Sequence, residues 1–431
     1  MVFSVSSLPF SLPALLLVFS LHVSTPTAHL HQNQSFSFPI FTLPLSGNSS
    51  ALSHFRHSVQ LISPPMRNHF LYQSALSAQL AIGSPPQIQY MMLDTATDFT
   101  WVPCGSSEGD PIFISTSSQS FSPLSCNALA CWFPREDGSI LISCSSQYIC
   151  QYSFTYTNIN QPRGYFASDV INFPQTNYPG YRITFGCRSN STELTGVLGL
   201  NLGMLSFVKQ SNIPRFSYCI PGHKPQARGT LVIGNNPNSA SLKYTRLQSI
   251  GNKNLPYYDY DAYSLKIQGI MVGNRVLSIL SSVFEPGHMG AGQTIISSAT
   301  LFTHLVMDAY REVRREFLRQ NWKLVSKVST MYAGLGGLDL CFELGSAGSN
   351  YIEGLSGVVL VFDGGVELRV EKDKLLAELE PGLWCFTFGG TDLVGLRASI
   401  IGTYHQQDLW VEYDIDGAAI GFAPADCSKL S

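Results

Sequence analysis

Charged residues are scarce in this chain of 431 residues, because Asp, Glu, Lys and Arg make up only 13% of it and the net charge at pH 7 is -3. Nucleic-acid-binding proteins normally present a basic surface, so this balance argues against nucleic acid as a partner. Disordered chains are poor in apolar residues, whereas 45% of these residues are hydrophobic. The composition therefore predicts a folded protein, and the length predicts two lobes rather than one core.

Apolar runs long enough to cross a membrane are also missing. The N-terminal run LPALLLVFSLHV has the length of a secretory signal and is too short to span a bilayer. No Lys or Arg precedes it, which leaves a buried hydrophobic terminus as the alternative. We predict a signal peptide at residues 1–28, a secretory-pathway or extracellular location and no membrane anchor. Sequons at Asn33, Asn48 and Asn190 agree with a secreted glycoprotein.

Paired CxxC or His motifs of the kind that bind zinc are absent, although the chain has ten cysteines. With a secretory signal, ten cysteines indicate disulfides formed in an oxidising compartment. Five of them lie in one segment, from Cys104 to Cys150, and Cys341 is near enough to Cys385 in sequence to close one loop. The pairing itself stays open. We predict neither a metal nor a cofactor.

Turn and strand formers are common in the chain, which has 36 Gly and 24 Pro in all, and they predict a mainly β protein. LSAQLAIGSPPQIQYMMLD predicts a hairpin that turns at Gly83–Pro86. The strongest helical pattern covers residues 306–320, where apolar residues recur at three- and four-residue spacing. Residues 29–68 are polar and rich in Pro and His, and we expect either a pro-segment or a disordered lead-in.

Two short stretches repeat at a distance of 203 positions: MLDTATDFTWV around Asp94 and TIISSATLFTHL around Ser297. Later landmarks keep the same spacing, since Gly199 lies 105 positions after Asp94 and Gly402 lies 105 positions after Ser297. One offset recurring twice indicates an internal duplication, with chance similarity of Ser, Thr and Ala as the alternative. The pattern predicts two β lobes of similar topology, each with a loop after a buried strand.

The boundary between the predicted lobes lies near the aromatic stretch LPYYDYDAY. This places an N-terminal lobe with a cysteine-rich insert at residues 69–255 and a C-terminal lobe at residues 256–431. Within the two loops, an aspartate of the first lobe faces a serine of the second.

These loops and their order in the chain resemble those of pepsin-like aspartic proteases. The similar segments span roughly residues 70–427 and are AIGSPPQ, LDTATDFTWVPC, TFGC, GVLGLNLGMLSFVKQ, FSYC, YSLKIQGIMVG, QTIISSATLFTHL and IIGTYHQQDLWVEYDIDGAAIGFAPADC. The cysteine-rich insert is similar to the plant, nepenthesin-type branch, and FEPGHMGAGQT and CFTFGGTDLVG are more similar still to plant proteases described as promoting cell survival. The resemblance implies a bilobal fold with a central cleft for a polypeptide, in a monomer.

In such enzymes two carboxylates share one proton beside a water molecule. The ionised carboxylate takes a proton from the water, and the protonated one donates to the peptide carbonyl oxygen. By this resemblance Asp94 is the first carboxylate, and Thr97 and Thr300 are the hydroxyls that orient the catalytic side chains. The resemblance also makes Tyr156 the tyrosine of the flap over the substrate and Trp101 the aromatic residue behind it.

Two departures from the family pattern concern catalysis. Ser297 occupies the position of the second aspartate, and a serine hydroxyl neither acts as an acid near neutral pH nor shares a proton with a carboxylate. Loss of one general acid–base group costs about 10²–10⁴-fold in rate. Ala96 and Ala299 replace both loop glycines, where a methyl group adds bulk and a positive φ would be strained. Asp98 and Asp308 match no catalytic position, so we expect no substitute acid.

Two functions therefore compete. The chain is either an aspartic endopeptidase that is impaired by Ser297, or a non-catalytic peptide-binding or inhibitor scaffold, as in plant relatives that resemble xylanase inhibitors. The two departures favour the non-catalytic function, while the predicted fold and descent still indicate the protease family. A sequencing error or pseudogene is a third explanation, against which the coherent chain argues. We expect His304 and the segment 405–407 to be structural.

Overall fold

The computed structural model describes residues 35–44, 74–105, 112–132, 140–154, 163–174, 180–189, 195–222, 228–251, 255–329 and 337–430. The predicted signal peptide, the asparagines of the three sequons and Tyr156 lie outside these ranges. Among the described residues, no helix is long and apolar enough to span a membrane.

Strands account for most of the regular structure. In the first half of the chain they are β1 Ser35–Pro44, β2 Ser74–Ile82, β3 Gln87–Asp94, β4 Trp101–Gly105, β5 Phe113–Ile114, β6 Ser122–Pro123, β7 Ile140–Cys144, β8 Cys150–Phe154, β9 Arg163–Asn172, β10 Tyr181–Ser189, β11 Thr195–Gly199, β12 Arg215–Cys219, β13 Gly229–Gly234 and β14 Lys243–Arg246. In the second half they are β15 Ser264–Leu265, β16 Ile267–Val272, β17 Arg275–Val276, β18 Thr294–Ile296, β19 Thr303–Leu305, β20 Cys341–Glu343, β21 Val358–Phe362, β22 Glu367–Val370, β23 Leu376–Glu380, β24 Leu383–Phe386, β25 Phe388–Gly390, β26 Ser399–Ile401, β27 Leu409–Asp414 and β28 Ala419–Pro424.

Helices are few and mostly short in the described part of the chain. The α-helices are α1 Phe207–Gln210, α2 Met307–Gln320, α3 Trp322–Val325 and α4 Ser349–Ile352. Short 3₁₀ segments cover Ser115–Ser117, Leu129–Cys131, Ser239–Ser241, Ser281–Phe284, Gly345–Ala347, Asp363–Gly365, Lys372–Lys374, Thr391–Leu393, Thr403–Gln406 and Cys427–Lys429. The helix predicted at 306–320 is confirmed as α2, which buries Ala309, Tyr310, Val313 and Phe317 against the core, as its apolar spacing requires.

One large sheet holds most of the first half of the chain and the last two strands. Its main path runs β14-β28-β27-β12-β13-β1-β2-β3-β11-β4-β10-β9-β8-β7, with β5 and β6 pairing beside β4 and β9. The hairpin predicted around Gly83–Pro86 is confirmed, because β2 and β3 pair antiparallel on either side of that turn. Since β27 and β28 pair with β12 and β14, the C-terminal end of the chain closes onto the first half.

Three smaller sheets build the second lobe. Their orders are β15-β18-β26-β19-β25, β17-β16-β21-β22 and β20-β24-β23. Buried apolar side chains of both halves, such as Leu93, Ile296 and Phe386, belong to one continuous core. The protein therefore has the predicted mainly β, two-lobed architecture.

The duplication seen in the sequence is present in the strand register. Strand β11 pairs parallel with β3 so that Leu198 faces Leu93, and β26 pairs parallel with β18 so that Ile401 faces Ile296. Both pairs are separated by 105 positions, the spacing that the sequence predicts. The two catalytic-type loops thus leave equivalent strands in equivalent sheets.

The strands that follow these loops repeat the same relation. Trp101 of β4 faces Val197 antiparallel, and His304 of β19 faces Ile400 antiparallel. Strands β10 and β25 then pair parallel with β4 and β19 at the same offset. His304 is therefore the counterpart of Trp101, a correspondence that follows from the repeat at offset 203.

All ten cysteines are described and form five disulfides. The pairs are Cys104–Cys187, Cys126–Cys144, Cys131–Cys150, Cys219–Cys427 and Cys341–Cys385. The last pair confirms the loop expected from sequence. Cys126, Cys131 and Cys144 lie close enough together to suggest a metal site, but their sulfur atoms are already bonded in disulfides.

Removing the Cys219–Cys427 disulfide should destabilise the fold substantially. This bridge joins residues 208 positions apart and anchors the C-terminal end of the chain beside Trp410 in a small buried cluster. Longer closed loops restrict the unfolded chain more, and native disulfides typically contribute about 2–5 kcal/mol. A Cys219→Ser, Cys427→Ser variant should therefore lose more unfolding free energy in urea than a variant lacking Cys126–Cys144, which spans 18 positions. An equal or smaller loss would contradict the prediction.

Candidate active site

The first loop begins at Asp94, the last residue of β3. Its carboxylate Oδ1 accepts a hydrogen bond of 2.8 Å from the backbone N–H of Ala96. The Asp94 carbonyl accepts the N–H of Leu200, 2.8 Å away, which ties the loop to the chain leaving β11. The side chain is buried, with 7% of its surface exposed. The loop thus holds one carboxylate at a fixed position beside the end of a buried strand.

The second loop reproduces this turn with a hydroxyl. Ser297 Oγ accepts a hydrogen bond of 3.1 Å from the N–H of Ala299, the relation that Asp94 has with Ala96. Thr300 Oγ1 also donates to Ser297 Oγ, at 3.4 Å. Ser297 is fully buried. The loop geometry is therefore kept, while the group that could carry the second catalytic proton is replaced.

Reciprocal hydrogen bonds clamp the two loops together. The Thr95 N–H donates to Ser298 Oγ at 3.0 Å, and the Ser298 N–H donates to Thr95 Oγ1 at 2.9 Å. Ser298 Oγ donates in turn to the Leu93 carbonyl, at 2.7 Å. Because Thr95 and Ser298 directly follow Asp94 and Ser297, the clamp brings these two residues to adjacent positions. The clamp was not predicted, although two hydroxyl residues 203 positions apart are a signal for it in the sequence.

A buried hydrogen-bond network supports the second loop from below. Gln406 Nε2 donates to the carbonyls of Ser297 and Ile401, both at 2.9 Å. Its Oε1 accepts from the Tyr218 hydroxyl at 2.5 Å, and the hydroxyls of Tyr218 and Tyr413 are 2.9 Å apart. Burial raises the pKa of both tyrosines well above the usual value. They remain neutral hydrogen-bonding groups, so the network is a fixed support for the loop.

A threonine in each lobe fixes the glycine at the end of the inner parallel strand. Thr100 Oγ1 accepts the N–H of Gly199 at 3.0 Å, and Thr303 Oγ1 accepts the N–H of Gly402 at 3.1 Å. In the second lobe His405 extends this support, with Nδ1 2.7 Å from Thr303 Oγ1 and Nε2 2.8 Å from Thr387 Oγ1. Burial lowers the pKa of His405 to about 3. Both ring nitrogens are occupied by hydroxyl partners, which is the structural role that we expected.

His304 lies behind the second loop and is also buried. Its Nδ1 is 3.1 Å from the carbonyl of Phe302, and 3% of its surface is exposed. Burial lowers the pKa of His304 to about 4, so the ring is neutral at physiological pH. The Nδ1 contact agrees with the structural role that we expected, while the buried Nε2 has no hydrogen-bond partner among the described residues.

The two threonines predicted to orient the catalytic side chains have different hydrogen-bond partners. Thr300 Oγ1 donates to Ser297 Oγ, whereas Thr97 Oγ1 accepts the N–H of Phe99 at 3.1 Å. Thr97 lies within the loop of Asp94, and its carbonyl accepts the N–H of Asn201 at 3.2 Å. Both threonines belong to the two loops, as the sequence places them.

Trp101 packs beneath the hairpin that leads to the predicted flap. It is 3% exposed and shares a cluster with Tyr152 of β8 and Phe166 of β9. The Arg188 guanidinium lies 5.3 Å from the centroid of its ring, within cation–π range. Strands β8 and β9 pair antiparallel, while Tyr156, between them, is outside the described residues. Trp101 thus contacts the base of this hairpin.

The alanines that replace the loop glycines fit their backbone without strain. Ala96 is half-buried and Ala299 is 9% exposed. Neither is among the described residues with positive φ, so the cost anticipated for a left-handed alanine does not arise here. The departure is limited to two methyl groups at the floor of the cleft.

Two duplicated β lobes whose paired loops are clamped together, with an aspartate on one loop, define the pepsin-like class of proteins. Family models agree, since residues 77–235 match the model described as xylanase inhibitor N-terminal and residues 262–424 match xylanase inhibitor C-terminal. Among curated proteins, aspartic proteinase PCS1 of Arabidopsis thaliana is 34% identical over 386 residues, covering 84% of each chain. Aspartic proteinase nepenthesin-2 of Nepenthes gracilis is 30% identical over 359 residues, covering 81% of this chain and 77% of the relative. The chain belongs to the plant pepsin-like aspartic protease family.

Solved structures share the fold at lower identity. Basic 7S globulin from soybean superposes with a TM-score of 0.63 at 19% identity, covering 92% of this chain and 99% of that one. Conglutin gamma from lupine seeds gives a TM-score of 0.60 at 15% identity, covering 90% and 94%. At these identities the likeness concerns the fold alone.

Proposed function

We propose that this member of the aspartic protease family binds a polypeptide in the cleft between its lobes and is impaired in hydrolysing it. The observation that carries the proposal is Ser297, which accepts the hydrogen bonds of a catalytic-type loop but supplies no carboxyl group. Peptide hydrolysis by this family's mechanism needs a second acid to donate a proton to the carbonyl oxygen. A hydroxyl that is fully buried and keeps its proton near neutral pH does not supply it.

The preserved scaffold favours a binding role over general decay of the site. The Thr95–Ser298 clamp, the Gln406 support and the threonine contacts all maintain the cleft floor. The similarity to xylanase inhibitor models supports the second candidate, a peptide- or protein-binding scaffold or inhibitor without catalysis.

Individual roles within this proposal follow the family resemblance. Asp94 is the remaining carboxylate, Thr97 and Thr300 position the loop side chains, and Trp101 supports the flap that carries Tyr156. The lobes comprise residues 69–255 and 256–431. A monomer that enters the secretory pathway fits the five disulfides, since such bonds form in oxidising compartments.

A comparison of the natural chain with Asp94→Asn tests this function. In the natural chain only Asp94 supplies a carboxylate at the two catalytic loop positions. The natural chain and Asp94→Asn should therefore show the same low background when a denatured protein substrate is digested in acid. A peptide inhibitor with a hydroxyl transition-state group should still bind the natural chain, as measured by calorimetry. Assays at pH 4 and pH 6.5 guard against loss of the fold in acid. Inhibitor-sensitive cleavage that disappears in Asp94→Asn would overturn the impairment, and absence of peptide binding at both pH values would overturn the binding role.

A further inference from the structure

Helix α2 and the short helix α3 carry an excess of basic residues on a chain that is slightly acidic. Residues 311–327 contain six of the 26 Lys and Arg residues and two of the 29 Asp and Glu residues, whereas the whole chain has a net charge of -3. The basic residues that recur at every fourth position and are exposed are Arg311, Arg315, Arg319, Lys323 and Lys327. Such a local excess of one charge indicates an anionic partner.

Carboxylates neutralise the first part of α2 but not its end. The ion pairs in the first part are Arg311–Asp308, Arg314–Asp339 and Arg315–Glu312. Lys323 and Lys327 form no ion pair with any residue that the structure describes. Glu343 lies beside this end, because its N–H donates to the Lys327 carbonyl at 2.8 Å, and its carboxylate accepts the Ser329 hydroxyl at 2.8 Å. A positive excess therefore remains at the end of α2 and on α3.

One buried carboxylate holds two further cations side by side. Glu316 is 5% exposed and accepts two hydrogen bonds from the Arg319 guanidinium, at 2.9 Å and 2.6 Å. Arg275 of β17 approaches the same carboxylate from the neighbouring hairpin, with Nη1 3.5 Å from Oε2. Both arginine side chains remain 58% exposed. One hidden negative charge is thus shared by two exposed positive charges.

Two exposed apolar side chains lie among these cations in the sequence. Trp322 is 69% exposed and Val325 is 52% exposed. The backbone of α3 is fixed, since Leu324 is buried in the core and Asn321 Nδ2 donates to the Phe317 carbonyl at 2.8 Å. Tryptophan and an aliphatic residue flanked by Lys and Arg are typical of segments that bind at the lipid headgroup region.

The apolar pair favours a lipid surface over a hydrophilic polyanion. A polymer of acidic sugars would satisfy the cations but would leave the Val325 side chain in contact with water. The headgroup region of a bilayer accepts an aromatic ring and an aliphatic group, and anionic lipids attract the cations around them. Attachment of this kind requires no helix that spans the membrane.

We propose that the end of α2, helix α3 and strand β17 form a peripheral binding surface for an anionic lipid bilayer. This basic patch consists of Arg275, Arg319, Lys323, Lys327, Trp322 and Val325. The Trp322 ring and the Val325 side chain enter the headgroup region, and the cations contact lipid phosphates. Because few charges and only two apolar groups take part, binding is reversible and weakens with salt. The inference is independent of whether the cleft binds or hydrolyses peptides.

Flotation of the purified full chain with lipid vesicles tests the proposal. The protein should float with phosphatidylcholine vesicles that contain phosphatidylserine and stay behind with pure phosphatidylcholine. Raising the salt from about 0.1 M to about 1 M should release it, because the range of exposed charges becomes about threefold shorter. Absence of flotation with the anionic vesicles at low salt, or equal flotation with both kinds, would overturn the proposal. Binding to polygalacturonate without binding to vesicles would also overturn it.

Variants with matched controls locate the surface. Lys323→Ala with Lys327→Ala should weaken vesicle binding about 30-fold, since each Lys near an anionic bilayer contributes about fivefold. Lys209→Ala with Lys243→Ala removes two other exposed lysines and should leave binding unchanged.

The tryptophan has a control of its own. Trp322→Ala should weaken binding and abolish the blue shift of fluorescence that vesicles cause, whereas Trp132→Ala, which removes an equally exposed ring from the first lobe, should change neither. All variants concern exposed side chains, so their melting temperatures should match that of the natural chain. Equal losses of binding in a patch variant and its control would contradict the proposed location.

Discussion

Replacing Ser297 with aspartate is expected to raise acid hydrolysis of peptides by about 10²–10⁴-fold over the background of the natural chain, the range that one general acid–base group contributes. The new carboxyl group would face Asp94 across the clamped loops, and two such neighbours cannot both ionise readily. One would hold a proton while the other removes a proton from water. The expected result is acid proteolysis that a transition-state inhibitor blocks.

The loop around Ser297 already has the hydrogen bonds that a carboxylate needs. The Ala299 N–H would donate to the introduced carboxylate as the Ala96 N–H donates to Asp94, and the Thr300 hydroxyl lies within reach. Gln406 fixes the backbone carbonyl of the same residue, so the main chain does not have to move. The site is fully buried in the natural chain. Lack of space for the larger aspartate side chain is therefore the principal obstacle.

Two further variants separate a missing acid from a cleft that has changed in other ways. Adding Ala96→Gly and Ala299→Gly to Ser297→Asp removes the methyl groups from the floor and should increase the rate further. Adding Asp94→Asn to Ser297→Asp should remove the gained activity, which would exclude a contaminating protease. If the folded triple variant stays silent although it binds the inhibitor, the second carboxyl group is not the principal defect.

The duplication, the hairpin and helix α2 could be predicted because each depends on local or repeated pattern. One offset of 203 positions was enough to align Asp94 with Ser297, and the strand register reproduces it on both sides of the loops. Helix α2 was predictable because its apolar residues recur at helical spacing. These features depend on neighbours in sequence or on comparison within the chain.

Features that depend on long-range pairing were not predictable. Nothing local in VEYDIDGAAIGF shows that β27 and β28 join the sheet of the first half, and nothing local in SFSFPIFTLP shows that β1 lies between β13 and β2. The Gln406–Tyr218 hydrogen bond joins residues 188 positions apart for the same reason. Two polar residues at such a distance give no periodic signal, and only their common burial makes them partners.

Acidification from pH 6.5 to pH 4 is expected to cost the fold about 3 kcal/mol for each of His405 and His304, if their burial acts independently. Burial lowers the pKa of His405 to about 3 and the pKa of His304 to about 4. In the unfolded chain both regain the ordinary pKa near 6.5. Below pH 6.5 the unfolded chain therefore binds protons that the folded chain does not, and stability falls until the folded pKa values are reached.

The hydrogen bonds of His405 explain why the folded ring resists a proton. The Thr387 hydroxyl donates to the Lys374 carbonyl at 2.6 Å, so it accepts the Nε2–H of His405. Thr303 Oγ1 accepts the Gly402 N–H and donates to Nδ1. A proton on Nδ1 would displace that donated hydrogen bond, and the Lys374 ammonium further lowers the pKa of His405.

Urea unfolding at pH 6.5, 5.5 and 4.5 measures this loss, with His405→Asn and His288→Asn as a matched pair. His288 is exposed, so His288→Asn serves as the surface control, whereas His405→Asn should flatten the pH slope even if overall stability drops. Burial raises the pKa of Glu412, which acts in the opposite direction. An unchanged slope in His405→Asn would contradict the prediction.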